Sequence, residues 1–204
     1  REETGRRRRA LAIVRREQPD AVLSVDTYRP SVARMCVEEF GADIINDVSE
    51  GGITGIVNTP IHEEESMFET VARLGVAYIL MSVKPDLYSM MKAFAEEVQQ
   101  LRDLGVKDVI LDPGFGFGKT LEQNYELLAS LGKLREFNLP LLVGVSRKSM
   151  IYRVLDATPA ESLAGTVALG WECLRQGAAI LRVHDVQEAV DTVRLFGAYE
   201  RNRK

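Results

Sequence analysis

The amino-acid sequence predicts an α/β protein with a parallel sheet, and more narrowly a (β/α)8 barrel of the TIM type. Short apolar segments alternate six times with longer amphipathic segments, at spacings of about thirty residues, the size of a βαβ unit. Nearly every apolar segment ends in a polar or charged residue. An open sheet gathers functional groups at two or three strand ends, whereas all strands of a barrel open onto one mouth. Polar residues at the ends of nearly all the apolar segments therefore favour the barrel over the open sheet.

The individual elements follow from hydrophobic periodicity and from helix end signals. Pro30 suits the first turn of a helix, and Gly41 suits its end. The predicted strands are 21–25, 43–48, 76–81, 109–112, 141–145 and 179–183. The predicted helices are 2–17, 31–40, 63–74, a segment from after Asp86 to Leu104, 121–137, a segment from Leu163 to Gly177, and Asp185 onward.

Six βα units are two fewer than a closed barrel contains. The chain opens on Arg1 rather than on methionine. We therefore expect two further units, about 60 residues at roughly 30 per unit, to precede this segment. On this interpretation residues 1–204 form a single barrel domain that is incomplete at its N-terminus.

The composition of the chain limits its functional class. The net charge of −4 disfavours a nucleic-acid-binding protein, and Arg6 to Arg9 are interpreted as a solvated helix face. The sequence contains no apolar run of membrane-spanning length and no signal peptide. Cys36 and Cys173 are isolated within helical patterns, which favours two buried free thiols in a reducing compartment. We expect a cytoplasmic protein without nucleic-acid or membrane partners.

A glycine-aromatic loop, DPGFGFGKT at 112–120, follows the fourth predicted strand. It fails both phosphate-binding patterns, because Pro113 replaces the first glycine of a P-loop and Lys119 the last glycine of a dinucleotide fingerprint. Gly114, Gly116 and Gly118 would nevertheless allow tight bends and a close approach to a ligand.

Three basic residues at strand ends are candidates for binding an anion. Arg182 and His184 are two positions apart on a strand and project to the same side, which suits a phosphate group. The alternatives are that Arg182 pairs with a carboxylate and that His184 is a hydrogen-bonded strand-end residue. Lys148 follows a buried strand, where a purely structural lysine would be poorly solvated, so a ligand role is favoured.

Three further strand-end residues could bind a heterocycle. Asp26 and Asp112 end apolar strands, and buried carboxylates need partners such as ligand N–H groups, Lys148 or Arg182. Asn46 can donate and accept hydrogen bonds at once, although an Asx cap of the following loop is an alternative. A pterin offers a matching amino-pyrimidine edge together with a carbonyl and a ring nitrogen.

Five segments in this order resemble the dihydropteroate synthases, a family of pterin-binding barrels. They are SVDT at 24–27, INDVS at 45–49, DPGFGFGK at 112–119, SRKS at 146–149 and RVHD at 182–185. The resemblance covers essentially the whole chain. It implies a transferase of folate biosynthesis that condenses a dihydropterin pyrophosphate with para-aminobenzoate and releases pyrophosphate.

The resemblance also implies roles for individual residues. Lys148, Asp112 and Asp26 are the expected catalytic group. The expected substrate-binding residues are Asp26, Asn46, Met81 and Asp112 at the pterin, Lys148 at its acceptor side, Phe117 and Ser149 at the benzoate, and Arg182 and His184 at the pyrophosphate. Mg²⁺ is the implied cofactor, but the family's metal-associated asparagine would lie upstream of Arg1, so no metal ligand is expected within the 204 residues.

The chain departs from the family in the segment 82–84 and in the loop from Glu50 to Pro60. Two alternatives stay open. One is a pterin-binding methyltransferase domain that serves a corrinoid partner, although the SRKS and RVHD segments argue against it because methyltetrahydrofolate carries no pyrophosphate. The other is a non-catalytic pterin-binding fragment. The expected partners are the two small-molecule substrates, with a homodimer as one candidate assembly.

Overall fold

A computed structural model describes residues 2–49 and 65–203 of the chain. The chain folds into two compact units. The first comprises Arg1–Ser82 and Ala95–Ile110, and the second comprises Val83–Phe94 and Leu111–Lys204. Strands and helices alternate along the described residues, and the strand pairs within each unit are parallel. The predicted α/β class and the parallel pairing are confirmed.

Within residues 2–49 and 65–82, the first unit contains three complete strands and three complete helices. They are α1 (Glu2–Glu17), β1 (Ser24–Asp26), α2 (Pro30–Phe40), β2 (Ile44–Asp47), α3 (Met67–Leu74) and β3 (Ala77–Met81). Helix α4 (Leu87–Asp103) and strand β4 (Val109–Asp112) have residues in both units.

The helix ends of the first unit follow from local chemistry. Pro30 occupies the first turn of α2, and Gly41 ends that helix in the left-handed conformation with φ 61°. The Arg15 side chain donates to the carbonyl oxygens of Phe40 at 2.7 Å and Ala21 at 2.6 Å, which joins α1 to the end of α2. Ser66 and Glu69 form a capping box that starts α3 at Met67.

The core of the first unit lies around β2 and β3. Ile45, Tyr78 and Leu80 are fully buried. The strands run in parallel register, with Ile45 opposite Val25 on one side and Tyr78 on the other. Buried Asp47 accepts hydrogen bonds from the Tyr78 hydroxyl at 2.8 Å and the Ser49 amide at 2.8 Å. This network satisfies a carboxylate that would otherwise be costly to bury.

The second unit carries the remaining elements. They are α5 (Leu121–Ser130), a 3₁₀ helix (Leu131–Phe137), β5 (Leu142–Val143), α6 (Ser149–Tyr152), a short 3₁₀ turn (Pro159–Glu161), α7 (Leu163–Arg175), β6 (Ile180–Leu181) and α8 (Val186–Asn202). A bridge joins Leu111 at β4 to Leu141, and β5 pairs with β6, with Leu142 opposite Ile180. The sheet order in this unit is therefore β4, β5, β6.

The prediction of one continuous helix over 121–137 is wrong beyond Ser130. The Gln176 side chain accepts a hydrogen bond from the Gly132 amide at 2.9 Å and donates to the Leu128 carbonyl oxygen at 2.7 Å. Leu128 and Gly132 are the two groups that an α-helix would join directly. Because the amide of Gln176 stands between them, the chain tightens into a 3₁₀ helix.

Other differences from the predicted elements are smaller. The helix predicted over 63–74 begins at Met67, because Ser66 caps it. The short helix α6 and the turn at Pro159–Glu161 were not predicted, since neither is long enough to show a period. The observed strands are up to three residues shorter than predicted, except β4, which has the predicted length. The loop 50–62, His62 and the expected departure from Glu50 to Pro60 lie outside the described residues.

Candidate active site

The end of β4 supplies a fully buried carboxylate, Asp112. One oxygen accepts a hydrogen bond from the Gly114 amide at 2.8 Å. The other lies 2.8 Å from the Arg182 Nη2 atom. Arg182 therefore forms the carboxylate pair that the sequence left as an alternative to anion binding. Its Nη1 atom is buried and finds no hydrogen-bond partner among the described residues, so it keeps a donor for a ligand.

Lys148 lies close to this pair and is largely withdrawn from solvent. Its amine donates to the carbonyl oxygen of Phe115 and lies 4.8 Å from the centre of the Phe117 ring. Burial and, to a lesser extent, the neighbouring Arg182 lower the pKa of Lys148 to about 8, against the opposing effect of Asp112. Such an amine can change its charge near neutral pH, which is typical of functional sites.

The glycine-aromatic loop approaches Lys148 through left-handed turns. Gly114, Gly116 and Gly118 have φ of 66°, 81° and 62°, which side chains rarely adopt. A Cβ on Gly116 would lie 3.2 Å from the Cδ atom of Lys148. The tight bends predicted for these glycines are confirmed. Their close approach to a ligand stays a prediction, because the group that Gly116 approaches here is a lysine side chain.

Sequence reasoning missed the residue that supports this loop. Asn124 on α5 is 2% exposed, accepts a hydrogen bond from the Gly116 amide at 2.7 Å and donates to the Thr120 carbonyl oxygen at 2.6 Å. Lys119 adds hydrogen bonds to the carbonyl oxygens of Gly114 at 3.1 Å and Phe117 at 3.2 Å. A polar residue among the apolar positions of α5 is the signal that could have revealed Asn124.

Two side-chain pairs join the segment after β5 to the segment after β6. Ser146 Oγ lies 2.9 Å from His184 Nδ1. Arg147 donates two hydrogen bonds to Asp185, at 2.8 and 2.7 Å, and this pairing holds the pKa of the Asp185 carboxyl below its usual range. His184 is therefore a hydrogen-bonded strand-end residue, as one alternative proposed. Ser149 is the first residue of α6 and follows Lys148 directly.

The remaining predicted residues lie in the first unit. Asn46, at 2% exposure, donates from Nδ2 to Asp26 Oδ1 at 2.5 Å, and its buried Oδ1 has no hydrogen-bond partner within the described part of the chain. Asn46 is thus engaged with a neighbouring strand end rather than capping the following loop. Met81 ends β3 and is fully buried. Asp26 is exposed, which corrects the expectation of a buried carboxylate.

The structure thus forms two local groups from the predicted residues. Asp26 and Asn46 are hydrogen-bonded in the first unit. Asp112, Lys148 and Arg182 interact in the second, next to Phe117. Cys36 and Cys173 are buried free thiols in α2 and α7, as predicted. In residues 2–49 and 65–203, no three acidic, histidine or cysteine side chains are grouped to hold a metal ion.

The chain is similar to proteins of known activity. It is 38% identical over 191 residues to the dihydropteroate synthase of Escherichia coli (strain K12), an alignment that covers 86% of this chain and 64% of the relative. It is 37% identical over 188 residues to the Synechocystis dihydropteroate synthase, an alignment that covers 84% of this chain and 61% of the relative. The chain therefore spans less than two thirds of the length of these relatives.

Solved structures agree with the sequence relatives. A Yersinia pestis dihydropteroate synthase, solved with a pterine-sulfa conjugate, superposes with a TM-score of 0.87 at 34% identity and covers 99% of this chain and 77% of that one. A Coxiella burnetii dihydropteroate synthase in complex with pteroic acid superposes with a TM-score of 0.81 at 30% identity. The match covers 94% of this chain and 71% of that one. The TIM-barrel fold class predicted from sequence is confirmed.

The family model described as pterin binding enzyme matches residues 1–184. That range includes four of the five segments on which the resemblance was based and all of RVHD except Asp185. By sequence match, fold and relatives together, this chain belongs to the family of pterin binding enzymes.

Proposed function

We propose that this protein is a dihydropteroate synthase, a transferase that joins a dihydropterin pyrophosphate to para-aminobenzoate and releases pyrophosphate. The observation that carries the proposal is the arrangement of Lys148 beside the Asp112–Arg182 ion pair. A lysine of lowered pKa, a buried carboxylate and a guanidinium with an unused donor are suited to a substrate that is both a heterocycle and an anion.

The pterin end of the substrate would interact with donors and acceptors. In the first unit, the unpartnered Oδ1 of Asn46 is an acceptor for a ring amino group, and the exposed Asp26 carboxylate is a second acceptor. The buried Met81 is proposed to lie against the ring. In the second unit, protonated Lys148 would donate to a carbonyl or ring nitrogen of the pterin.

The anionic end of the substrate would bind to the basic residues after β6. Arg182 offers the Nη1 donor that lacks a partner in the described chain, and guanidinium binds phosphate oxygens well. His184 is exposed and its ring is oriented by Ser146. Phe117, whose ring centre lies 4.8 Å from the Lys148 amine, and Ser149, which follows Lys148 in the chain, are proposed to place the benzoate.

The residues fit the charge changes of the reaction. The carbon–oxygen bond to the diphosphate breaks and its electron pair leaves with pyrophosphate, so positive charge develops on the pterin methylene. Asp112 would stabilise that charge, and Arg182 with His184 would stabilise the leaving group. The arylamine nitrogen then forms the new bond and releases a proton. No covalent intermediate on the protein is required, so neither cysteine has a role.

Mg²⁺ is implied by the family resemblance. The described residues lack a group of three metal-binding side chains. No catalytic step is therefore assigned to the ion.

We also propose that residues 1–204 belong to one barrel domain, that the protein acts in the cytoplasm and that it assembles as a homodimer. Sedimentation velocity would test the homodimer. The described chain contains no helix long and apolar enough to cross a membrane.

Binding and turnover can be tested separately. We expect calorimetry to show that the chain binds a dihydropterin pyrophosphate, and that Lys148→Ala weakens this binding at least tenfold, as expected for loss of a charged hydrogen bond. In the full-length protein, Lys148→Ala should abolish release of pyrophosphate in the presence of para-aminobenzoate. Unchanged turnover in that variant would refute the assignment.

Two controls distinguish the alternatives. Lys133→Ala removes an exposed lysine of the same unit and should change neither binding nor turnover. A corrinoid-dependent methyltransferase domain would bind methyltetrahydrofolate without any contribution from pyrophosphate. Ligand binding without turnover in the full-length protein would instead identify a non-catalytic pterin-binding module.

A further inference from the structure

The Arg182 side chain crosses strand β5 to reach Asp112. Arg182 follows β6, and its backbone amide donates to the Val143 carbonyl oxygen at 2.9 Å. Asp112 ends β4, on the other side of β5. Neighbouring strands lie about 4.8 Å apart, so the guanidinium must extend over roughly two strand spacings. The residue directly after β5, at the crossing point, therefore decides whether Arg182 can reach its partner.

Gly144 occupies that crossing point. The register that pairs Val143 with Leu181 continues to place Gly144 beside Arg182, and side chains paired in this way project to the same face. A Cβ on Gly144 would lie 2.9 Å from Arg182 Nη2, 3.1 Å from Nε and 3.3 Å from Cζ. All three atoms belong to the guanidinium group, so a methyl group would occupy its present position.

The backbone does not require a glycine at this position. Gly144 is not among the glycines of positive φ, so alanine fits its conformation. The nearest atoms belong to the far end of a flexible side chain and not to the main chain. Alanine would therefore cost little folding stability but would displace Arg182.

We propose that Gly144 is a positioning residue for Arg182: the lack of a side chain directly after β5 lets the guanidinium lie across the strand direction, pair with Asp112 and present Nη1 to the anion. The inference rests on the proposed function, because it takes the anion to be the diphosphate of the substrate. It adds that the anion affinity of Arg182 depends on a residue with no polar side chain.

Calorimetry with inorganic pyrophosphate tests the role of Gly144 directly. We expect Gly144→Ala to raise the Kd at least about tenfold, as for loss of a charge-assisted hydrogen bond, while the melting temperature stays within about 3 °C of the parent value. Gly170→Ala is the matched control, because its Cβ would make only an ordinary contact at 3.7 Å, with Leu181, and its Kd should stay unchanged. An unchanged Kd in Gly144→Ala would overturn the inference.

A double variant separates positioning from general damage. If Gly144 acts through Arg182, Gly144→Ala should weaken pyrophosphate binding no further once Arg182→Ala is present. The same fold-change with and without Arg182 would show that the alanine disturbs the site by another route, and would contradict the inference.

A measurement without ligand distinguishes a failure of the proposed function from a failure of the positioning role of Gly144. Arg182 lowers the pKa of Lys148, so displacement of the guanidinium should raise that pKa. NMR titration of isotope-labelled lysines should therefore show a higher Lys148 pKa in both Gly144→Ala and Arg182→Ala. If the parent chain fails to bind pyrophosphate, the diphosphate assignment fails, but an unshifted Lys148 in Gly144→Ala still refutes the positioning role.

Discussion

Arg147 and Asp185 are joined by two hydrogen bonds of 2.8 and 2.7 Å, although 38 residues separate them. The same offset pairs Leu142 with Ile180 in the strands β5 and β6. The ion pair therefore extends the strand register beyond the last backbone pairing, which lies at Val143 and Leu181. Because Lys148 follows Arg147 and His184 precedes Asp185, the pair holds two candidate site residues at a constant separation.

This pair should contribute measurably to folding. The side chains of Arg147 and Asp185 are only 24% and 19% exposed, and the contact is bidentate. We expect a double-mutant cycle of Arg147→Ala and Asp185→Ala to give a larger coupling in urea unfolding than the same cycle on the more exposed Arg175–Glu172 pair. Equal coupling energies for the two ion pairs would show that the strand register does not strengthen the Arg147–Asp185 pair.

Lys148 should give opposite pH trends in binding and in stability. Its pKa of about 8 means that the amine loses its proton above pH 8, so pterin pyrophosphate affinity should fall above that pH. An unfolded chain keeps the proton up to its ordinary pKa of 10.5. Folding stability should therefore rise between pH 8 and 10.5, by about 1–3 kcal/mol from this residue.

Lys148→Met provides the control for this trend. The variant should be more stable than the parent at pH 7 and should lose the residue's contribution to the pH dependence. Lys133→Met, which replaces an exposed lysine, should keep the rise in stability between pH 8 and 10.5 that the parent shows. Denaturant unfolding at pH 7, 8 and 10 measures the stability of both variants and of the parent. A parent stability that is flat over this range, with Lys148→Met no more stable at pH 7, would contradict the burial argument.

Glu65 should make the first unit sensitive to acid. Hydrogen bonds from Arg73 and Thr70 lower its pKa to about 2, and Arg34 also contributes. Since the folded pKa lies below the ordinary value of 4.5, the stabilisation is complete above about pH 4.5 and is lost as the pH falls towards 2. We expect Glu65→Gln to lower stability by about 1 kcal/mol at pH 7.

The difference between Glu65→Gln and the parent should shrink as the pH falls below 4.5 towards 2, because the Glu65 carboxyl takes up a proton and becomes neutral like the amide. Urea unfolding at pH 7 and at pH 3 measures the change. Glu96→Gln removes an exposed carboxylate of α4 and serves as the matched control, with no pH-dependent difference expected. A constant deficit for Glu65→Gln at every pH would indicate a packing effect instead.

Two glycines of helix α7 should respond in opposite directions to alanine. Gly170 borders an apolar pocket between β5, β6, α7 and α8. Gly170→Ala should stabilise the protein by about 0.5–1 kcal/mol, because glycine is unfavourable inside a helix. In Gly165→Ala the new Cβ would clash with Ile151 Cγ2, so we expect a loss of about 1–3 kcal/mol. Thermal unfolding of both variants decides the comparison.

Local patterns were sufficient for the elements and for several site residues. Pro30, Gly41 and the apolar strand segments act over a few residues, so their effects can be read directly from the chain. Asp112, Lys148 and Arg182 were identified because a charged residue directly after an apolar strand is conspicuous. The break of the helix at Leu131 was missed because Gln176, which causes it, is 44 residues from Gly132.

By itself the sequence determined the alternation of strands and helices, the parallel class and the chemical inventory at the strand ends. The tertiary structure decided which of those groups meet. Arg182 could have bound any carboxylate, and its pairing with Asp112 depends on the order of β4, β5 and β6. Gly144 has no distinctive local pattern, and the partners of Asn124 and Asp185 cannot be read from the residues around them. Their roles arise from strand register and loop packing, which bring distant residues into contact and which short-range periodicity does not encode.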